Sequence, residues 1–248
     1  MSGLVLALIA GAVVGLALGG LGGGGSMIAV PALIYLLGFT PAQATTASLL
    51  IVTVTSMIAL LAHARAGKVR WRTGSLFAAA GLPAAAATGA LSSALPAAVL
   101  TAAFAVLAGF AGERMLRPRR IPRPAETVAL GRSAAAGAGL GATTGLLGVG
   151  GGFLAVPALV TVLALPMADA IGTSLLLITT NGAAALIPRL SSAGTLDWAV
   201  VAPFTGAAIL GAWDGKRLAE KLSGATLRKA FAVALLATAA LMLLDALI

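Results

Sequence analysis

Gly20-Leu-Gly-Gly-Gly-Gly-Ser-Met-Ile-Ala-Val-Pro-Ala-Leu33 returns as Leu146-Leu-Gly-Val-Gly-Gly-Gly-Phe-Leu-Ala-Val-Pro-Ala-Leu159, 126 residues further on. The same offset pairs Pro31 with Pro157, Ser48 with Ser174, Leu49 with Leu175 and Thr53 with Thr179. After one inserted residue near position 190 the match continues at an offset of 127, pairing Gly67 with Gly194, Trp71 with Trp198, Leu100 with Leu227 and Phe104 with Phe231. Most of the chain is therefore one unit written twice, and whatever the glycine stretch does is done twice.

Sixty per cent of the residues are hydrophobic and 9% are charged, which leaves too little polar surface to cover a water-soluble domain of this size. Abundant Ala and Gly with few aromatics suit helices that approach closely in lipid, where apolar burial alone does not drive association. Uninterrupted apolar runs, in place of alternation, argue against a lipid-facing β-barrel. The expected fold is an all-α integral membrane protein. A net charge of +9 would suggest nucleic acid in a soluble protein; here it is read as topology, and no nucleic-acid partner is expected. Met1-Ser-Gly-Leu-Val carries no basic n-region, so the first apolar run is expected to be retained.

Apolar runs punctuated by Gly, Pro and charge give about ten segments, spanning or partly spanning. They run roughly 3–20, 25–38, 42–63, 73–91 and 96–116, then 132–147, 151–165, 168–189, 196–214 and 225–247. A crossing takes about 20 residues, so 25–38 and 151–165 are too short for a simple straight span. Thr40-Pro41 reads as an N-cap followed by proline at the first helical position, with Gln43 in a capping role. Residues 118–130, rich in Arg and Pro, link a first five-segment unit at 1–117 to a second at 131–248.

Every Lys and Arg except Arg189 falls in three clusters: Arg65 to Arg72, Arg114 to Arg132, and Lys216 to Lys229. An even number of segments separates them, so all three share one side, expected to be cytoplasmic. The first unit carries its basic loop after its third segment, and the second unit after its fourth. The two units are thus expected to insert upside down relative to each other, as inverted repeats that place a substrate site near the midplane.

Glycine runs within a membrane leave backbone N–H groups uncovered, and such backbone is tolerated only when buried or lining a cavity. Helices starting near Ser26 and Gly152 would aim free amides and the positive dipole end at a common point, a cradle for a small anionic solute. Candidate binding residues are Gly22, Gly24, Gly25 and Ser26 in one copy, and Gly148, Gly150, Gly151 and Gly152 in the other. Taken singly, each glycine fits plain helix packing; the paired placement of the whole stretch favours the site. A nucleotide loop is not indicated, because no Gly-Lys-Ser/Thr follows.

Hydroxyls recur at the start of the next segments, as Thr46 and Ser48 against Thr173 and Ser174, and further on Thr53 and Thr55 face Thr179, Thr180 and Asn181 in the alignment. Hydroxyls in membrane helices often only back-bond to their own turn. Asn181 is the stronger candidate, since an amide inside a span needs a partner or a solute. Asp169, like Gln43, is read as a cap, and His63 as an interfacial residue. No paired carboxylates, His cluster or activated nucleophile lies within the segments, so no catalytic residue, metal ligand or cofactor is assigned.

The duplicated Gly-rich run with Ala-Val-Pro-Ala-Leu, the Gly172-Thr-Ser174 triplet, Gly67-x-x-x-Trp71 with Gly194-x-x-x-Trp198, and the Leu227 to Phe231 pattern resemble the sulfite exporter TauE/SafE family of membrane permeases. The resemblance implies transport of small sulfur-containing oxyanions, such as sulfite or organosulfonates, across a bacterial cell membrane. The residues themselves point to an anion without choosing sulfur, and another small organic anion or a non-transporting scaffold subunit are the alternatives. A coupling ion (proton or sodium) and the oligomeric state stay open at this point.

Overall fold

The computed structural model describes residues 2–92, 97–117, 130–147, 152–186 and 196–247, and these residues are helical almost throughout. The helices are α1 Ser2–Leu21, α2 Gly24–Pro31, α3 Pro41–Arg65, α4 Trp71–Ser92, α5 Ala97–Leu116, α6 Leu130–Leu147, α7 Gly152–Thr161, α8 Met167–Leu186, α9 Trp198–Lys221 and α10 Gly224–Leu247. Gly3–Leu21, Gln43–Arg65 and Gly224–Leu241 are each long and apolar enough to cross a bilayer. Large side chains such as Leu4, Ile9, Val106, Phe110, Leu210 and Leu241 stand exposed on the outside. In water each would forgo about 1.5–3 kcal/mol of burial; in lipid they cost nothing. This is an integral membrane protein.

The short second segments are short for visible reasons. Pro31 has no N–H to give and its ring crowds the preceding turn, so α2 widens into a π-turn over Ala32–Leu36. Gly38, at φ +70°, then ends the run, and the N–H groups of Gly38 and Phe39 donate to the carbonyls of Ile34 and Leu33. The start of α3 is as expected: Thr40 caps it, Gln43 N–H donates to Thr40 Oγ1, the Thr40 N–H donates to Gln43 Oε1, and Pro41 follows the cap. One boundary differs. The ninth segment, expected to end near 214, continues as α9 through Asp214, Lys216 and Arg217 to Lys221. Lys216 paired with Glu220, and Arg217 with Asp214, allow a charged helical end, so this basic cluster is helix and not loop. The linker 118–129 and Arg189 lie outside the described residues.

Small residues decide which helices touch. Gly11, Gly15 and Gly19 of α1 lie against the backbones of Phe204, Ala208 and Ala212 of α9, and Gly211 and Gly215 lie reciprocally against Ala12 and Leu16. Numbers rise together on both sides, so α1 and α9 run parallel. Gly137 and Gly141 of α6 lie in the same way against Phe77 and Gly81 of α4, again parallel. A Cβ at these positions would collide with backbone, which is how Gly at every fourth residue draws two membrane helices together.

The other long contacts run the opposite way. In α3 and α8, Thr53 faces Gly182, Ser56 Oγ lies 3.1 Å from Thr179 Oγ1, and the Cβ of His63 approaches Gly172, so one number falls as the other rises. In α5 and α10, Gly112 sits under Ala232 and Leu236 while the Arg117 carbonyl accepts from Arg228. Two cores result. One gathers Leu18, Leu33, Ile51, Leu175 and Phe204; the other gathers Phe77, Leu159, Ile171 and Phe231.

Candidate solute site

The first glycine run makes a hairpin. Gly22 takes φ +80°, a left-handed turn open to glycine at little cost, with its N–H donating to Leu18 O at 2.8 Å. The chain then reverses into α2, where Gly25 presses on α1: a Cβ there would meet Val14 O at 2.5 Å and Leu18 Cβ at 2.7 Å. Gly25 therefore works as a packing glycine, while Gly24 makes only ordinary contact with Leu21.

Gly22 looks across to the other half. A Cβ on it would lie 2.5 Å from Ser174 Oγ and 3.1 Å from Ile171 Cα of α8. Ser26, buried in the first turn of α2, lies beside the start of α7, its Oγ 3.1 Å from where a Gly152 Cβ would stand. Ser26 and Gly152 are the same position in the two copies. The starts of α2 and α7 thus meet inside the protein, and the first amides of each helix have no intrahelical acceptor to satisfy them. Gly148, Gly150 and Gly151 fall outside the described residues.

The hydroxyls are turned inward on their own helices. Ser26 Oγ donates to Gly23 O at 2.8 Å, Ser48 Oγ to Thr45 O at 3.1 Å, and Ser174 Oγ to Ile171 O at 2.8 Å. In this arrangement they offer lone pairs outward, not protons, so an anion would first have to turn each hydroxyl round at about 0.5–1.5 kcal/mol. Backbone amides are the donors already in place. Thr46 is buried at the start of α3. Thr173 is directed elsewhere: its Oγ1 accepts the Arg70 N–H at 3.1 Å. Asn181 lies seven residues beyond Ser174, about 10 Å along α8, and its Oδ1 is buried without a hydrogen-bond partner. Thr55, its counterpart in the first copy, has a buried Oγ1 in the same condition.

Two contacts escaped the sequence reading. Asp169 is not merely a cap: Arg70 Nε donates to its Oδ2 at 2.8 Å and Arg70 Nη2 stands 2.7 Å from the same atom. His63, in the last turn of α3, is packed inside the protein. It is 5% exposed, and its Nε2 lies 3.2 Å from Gly19 O. Both contacts join positions far apart in the chain; the sole signal available was a carboxylate beside an apolar segment. At the charged end of α9, the Lys216 ammonium donates to Glu220 and holds that exposed carboxyl below its ordinary range. Among the described residues no group of His, Asp or Glu is placed to hold a metal ion.

Comparison with known proteins agrees with the resemblance read from the motifs. The sequence profile of the family described as "Sulfite exporter TauE/SafE" matches residues 7–242. Two curated proteins, each named "Probable membrane transporter protein" and found in Xylella fastidiosa strains 9a5c and Temecula1 / ATCC 700964, are 35% identical over 246 residues, covering 95% of this chain and 93% of theirs. No solved structure matches the chain. A profile running almost end to end and relatives of matching length place the duplicated glycine-led helices in a known setting, that of transmembrane transport: the chain belongs to the sulfite exporter TauE/SafE family.

Proposed function

We propose that this chain is a secondary transporter that moves a small sulfur-containing oxyanion, sulfite or an organosulfonate, across the bacterial cell membrane by alternating access. The anion would bind between the starts of α2 and α7, on amides near Gly22, Gly24, Ser26 and Gly152, with Ser174 and Asn181 supplying further polar contacts. The observation that carries the reading is the meeting of Ser26 with Gly152, equivalent positions brought side by side.

The working units are two inverted five-helix repeats, 1–117 and 131–248, joined by the basic linker 118–130. Supporting this, the counterparts α3 and α8 cross antiparallel, as do α5 and α10, while the α1 with α9 contact has its mirror in α6 with α4. An exchange of that pattern fits a two-fold axis lying in the membrane plane. The basic loops then face the cytoplasm. The Arg70–Asp169 pair ties the α3–α4 loop to the start of α8 on that side, so it is a contact that opening toward the cytoplasm has to break.

A tetrahedral oxyanion with three or more acceptor oxygens suits converging N–H donors. A panel of ligands in a thermal-shift assay separates the readings. Stabilisation by sulfite or sulfonates above matched carboxylates supports this proposal; equal stabilisation by carboxylates favours a carrier for another organic anion; no shift from any anion favours a scaffold subunit.

A further inference from the structure

A second site lies away from the glycine turns. Helices α5, α6 and α7 each pack mainly on other partners, α5 on α10, α6 on α4 and α7 on α8. Between them stays a groove of about 360 Å³, walled by Leu107, Phe110, Leu140, Leu154 and Pro157. The hydroxyls on its wall are already satisfied: Thr143 Oγ1 donates to Leu140 O at 2.8 Å and Thr161 Oγ1 to Pro157 O at 2.7 Å. Such a wall offers no free hydroxyl proton and is otherwise apolar, so it welcomes hydrocarbon.

Among the described residues, one cation lies at the groove. The Arg114 guanidinium stands 4.9 Å over the Phe110 ring, on the exposed face of α5, and makes no ion pair among the described residues. The neighbouring carboxylate, Glu113, is taken by Arg117. Stacking on Phe110 keeps Arg114 at the groove while leaving its N–H fork open. The position matching Arg114 in the second copy is Leu241, exposed and uncharged, so the repeat duplicates the helix without duplicating the charge.

We infer that the α5–α6–α7 groove is a lipid site, holding an acyl chain of an anionic phospholipid from the leaflet on the basic side, with the phosphate on Arg114. Charge complementarity selects the occupant: an apolar slot with the Arg114 cation beside it matches a chain carrying an anionic head, and basic pockets between membrane helices bind such heads. A zwitterionic lipid would fill the slot, but its head-group cation offsets its phosphate and weakens the pull of the guanidinium. This site is independent of which solute the protein carries.

Native mass spectrometry of delipidated protein offered equal phosphatidylglycerol and phosphatidylcholine of matched chains tests it. Phosphatidylglycerol is expected to be retained about fivefold better, the worth of one basic residue near the surface. Arg114→Gln is expected to bring the two lipids level, and Ala135→Phe, which fills the groove from an exposed position, to reduce both. Soluble glycerol phosphate should displace neither. Both substituted residues are exposed, and elution as a single species checks that each variant is folded. Equal retention by the unaltered protein, a preference surviving Arg114→Gln, retention untouched by Ala135→Phe, or displacement by glycerol phosphate would each overturn the site.

Discussion

Arg70 and Asp169 lie 99 positions apart in the chain, yet the guanidinium of one holds the carboxylate of the other through Nε at 2.8 Å and Nη2 at 2.7 Å. The carboxylate is nearly buried and the arginine more than half exposed. Their counterparts in the repeat are Asp197 and Gln43, a reversed and half-neutral combination, and both are spent on helix caps. The matching positions of the repeat therefore hold no such charged pair.

Removing Arg70 leaves a desolvated carboxylate, so Arg70→Gln is expected to cost about 1–2 kcal/mol, the partial exposure of the arginine keeping it at the low end for a charged hydrogen bond. Asp169→Asn should cost less, since the amide oxygen still accepts. Thermal unfolding in detergent measures both. A double variant no less stable than Arg70→Gln alone would show the coupling; strictly additive losses would show that the pair does not matter.

Gly22 carries two separable constraints, its left-handed φ and its closeness to Ser174. Gly22→Ala should destabilise by about 1–3 kcal/mol, of which roughly 1 is the backbone term. Adding Ser174→Ala removes the oxygen at 2.5 Å and should restore part of the loss but not all of it. Complete rescue would mean that backbone strain contributes nothing.

Gly15 of α1 and Gly141 of α6 are equivalent positions, each against the backbone of a parallel helix. Widening either to Leu should prevent close packing and cost more than about 3 kcal/mol, overpacking against backbone that cannot yield. The expected readout is loss of monodisperse protein in both variants. If Gly141→Leu folded normally while Gly15→Leu did not, the two contacts would not be equivalent.

Asn181 separates a structural role from a functional one. Its Oδ1 has no partner, so Asn181→Leu is expected to leave stability unchanged or raise it slightly. A residue kept for the solute should nevertheless lower transport at least tenfold when replaced, about 1.4 kcal/mol of lost binding or barrier stabilisation. Unaltered flux would remove Asn181 from the site.

Much of this arrangement is legible along the chain because it is local. The duplicated glycine run, the Thr40-Pro41 cap, and the short α2 and α7 with prolines inside them are written in adjacent residues. The Gly11, Gly15, Gly19 spacing announces a close helix contact, but nothing local names α9 as the partner. Arg70 with Asp169, and His63 with Gly19 O, depend on where distant helices come to rest, so nothing beside Asp169 or His63 in the chain names its partner. The hydroxyls misled for another reason: composition shows that a donor exists, while only geometry shows that Ser26, Ser48 and Ser174 already give their protons to their own turns.

The central proposal is movement of a sulfur oxyanion through the meeting point of α2 and α7. Counterflow in proteoliposomes measures it most directly: vesicles loaded with unlabelled sulfite are placed in trace labelled sulfite, and label accumulation is followed with and without protein. The expected result is transient, saturable accumulation that sulfonates suppress and that Asn181→Leu weakens. Accumulation no greater than in protein-free vesicles, with folded protein present in the membrane, would contradict it.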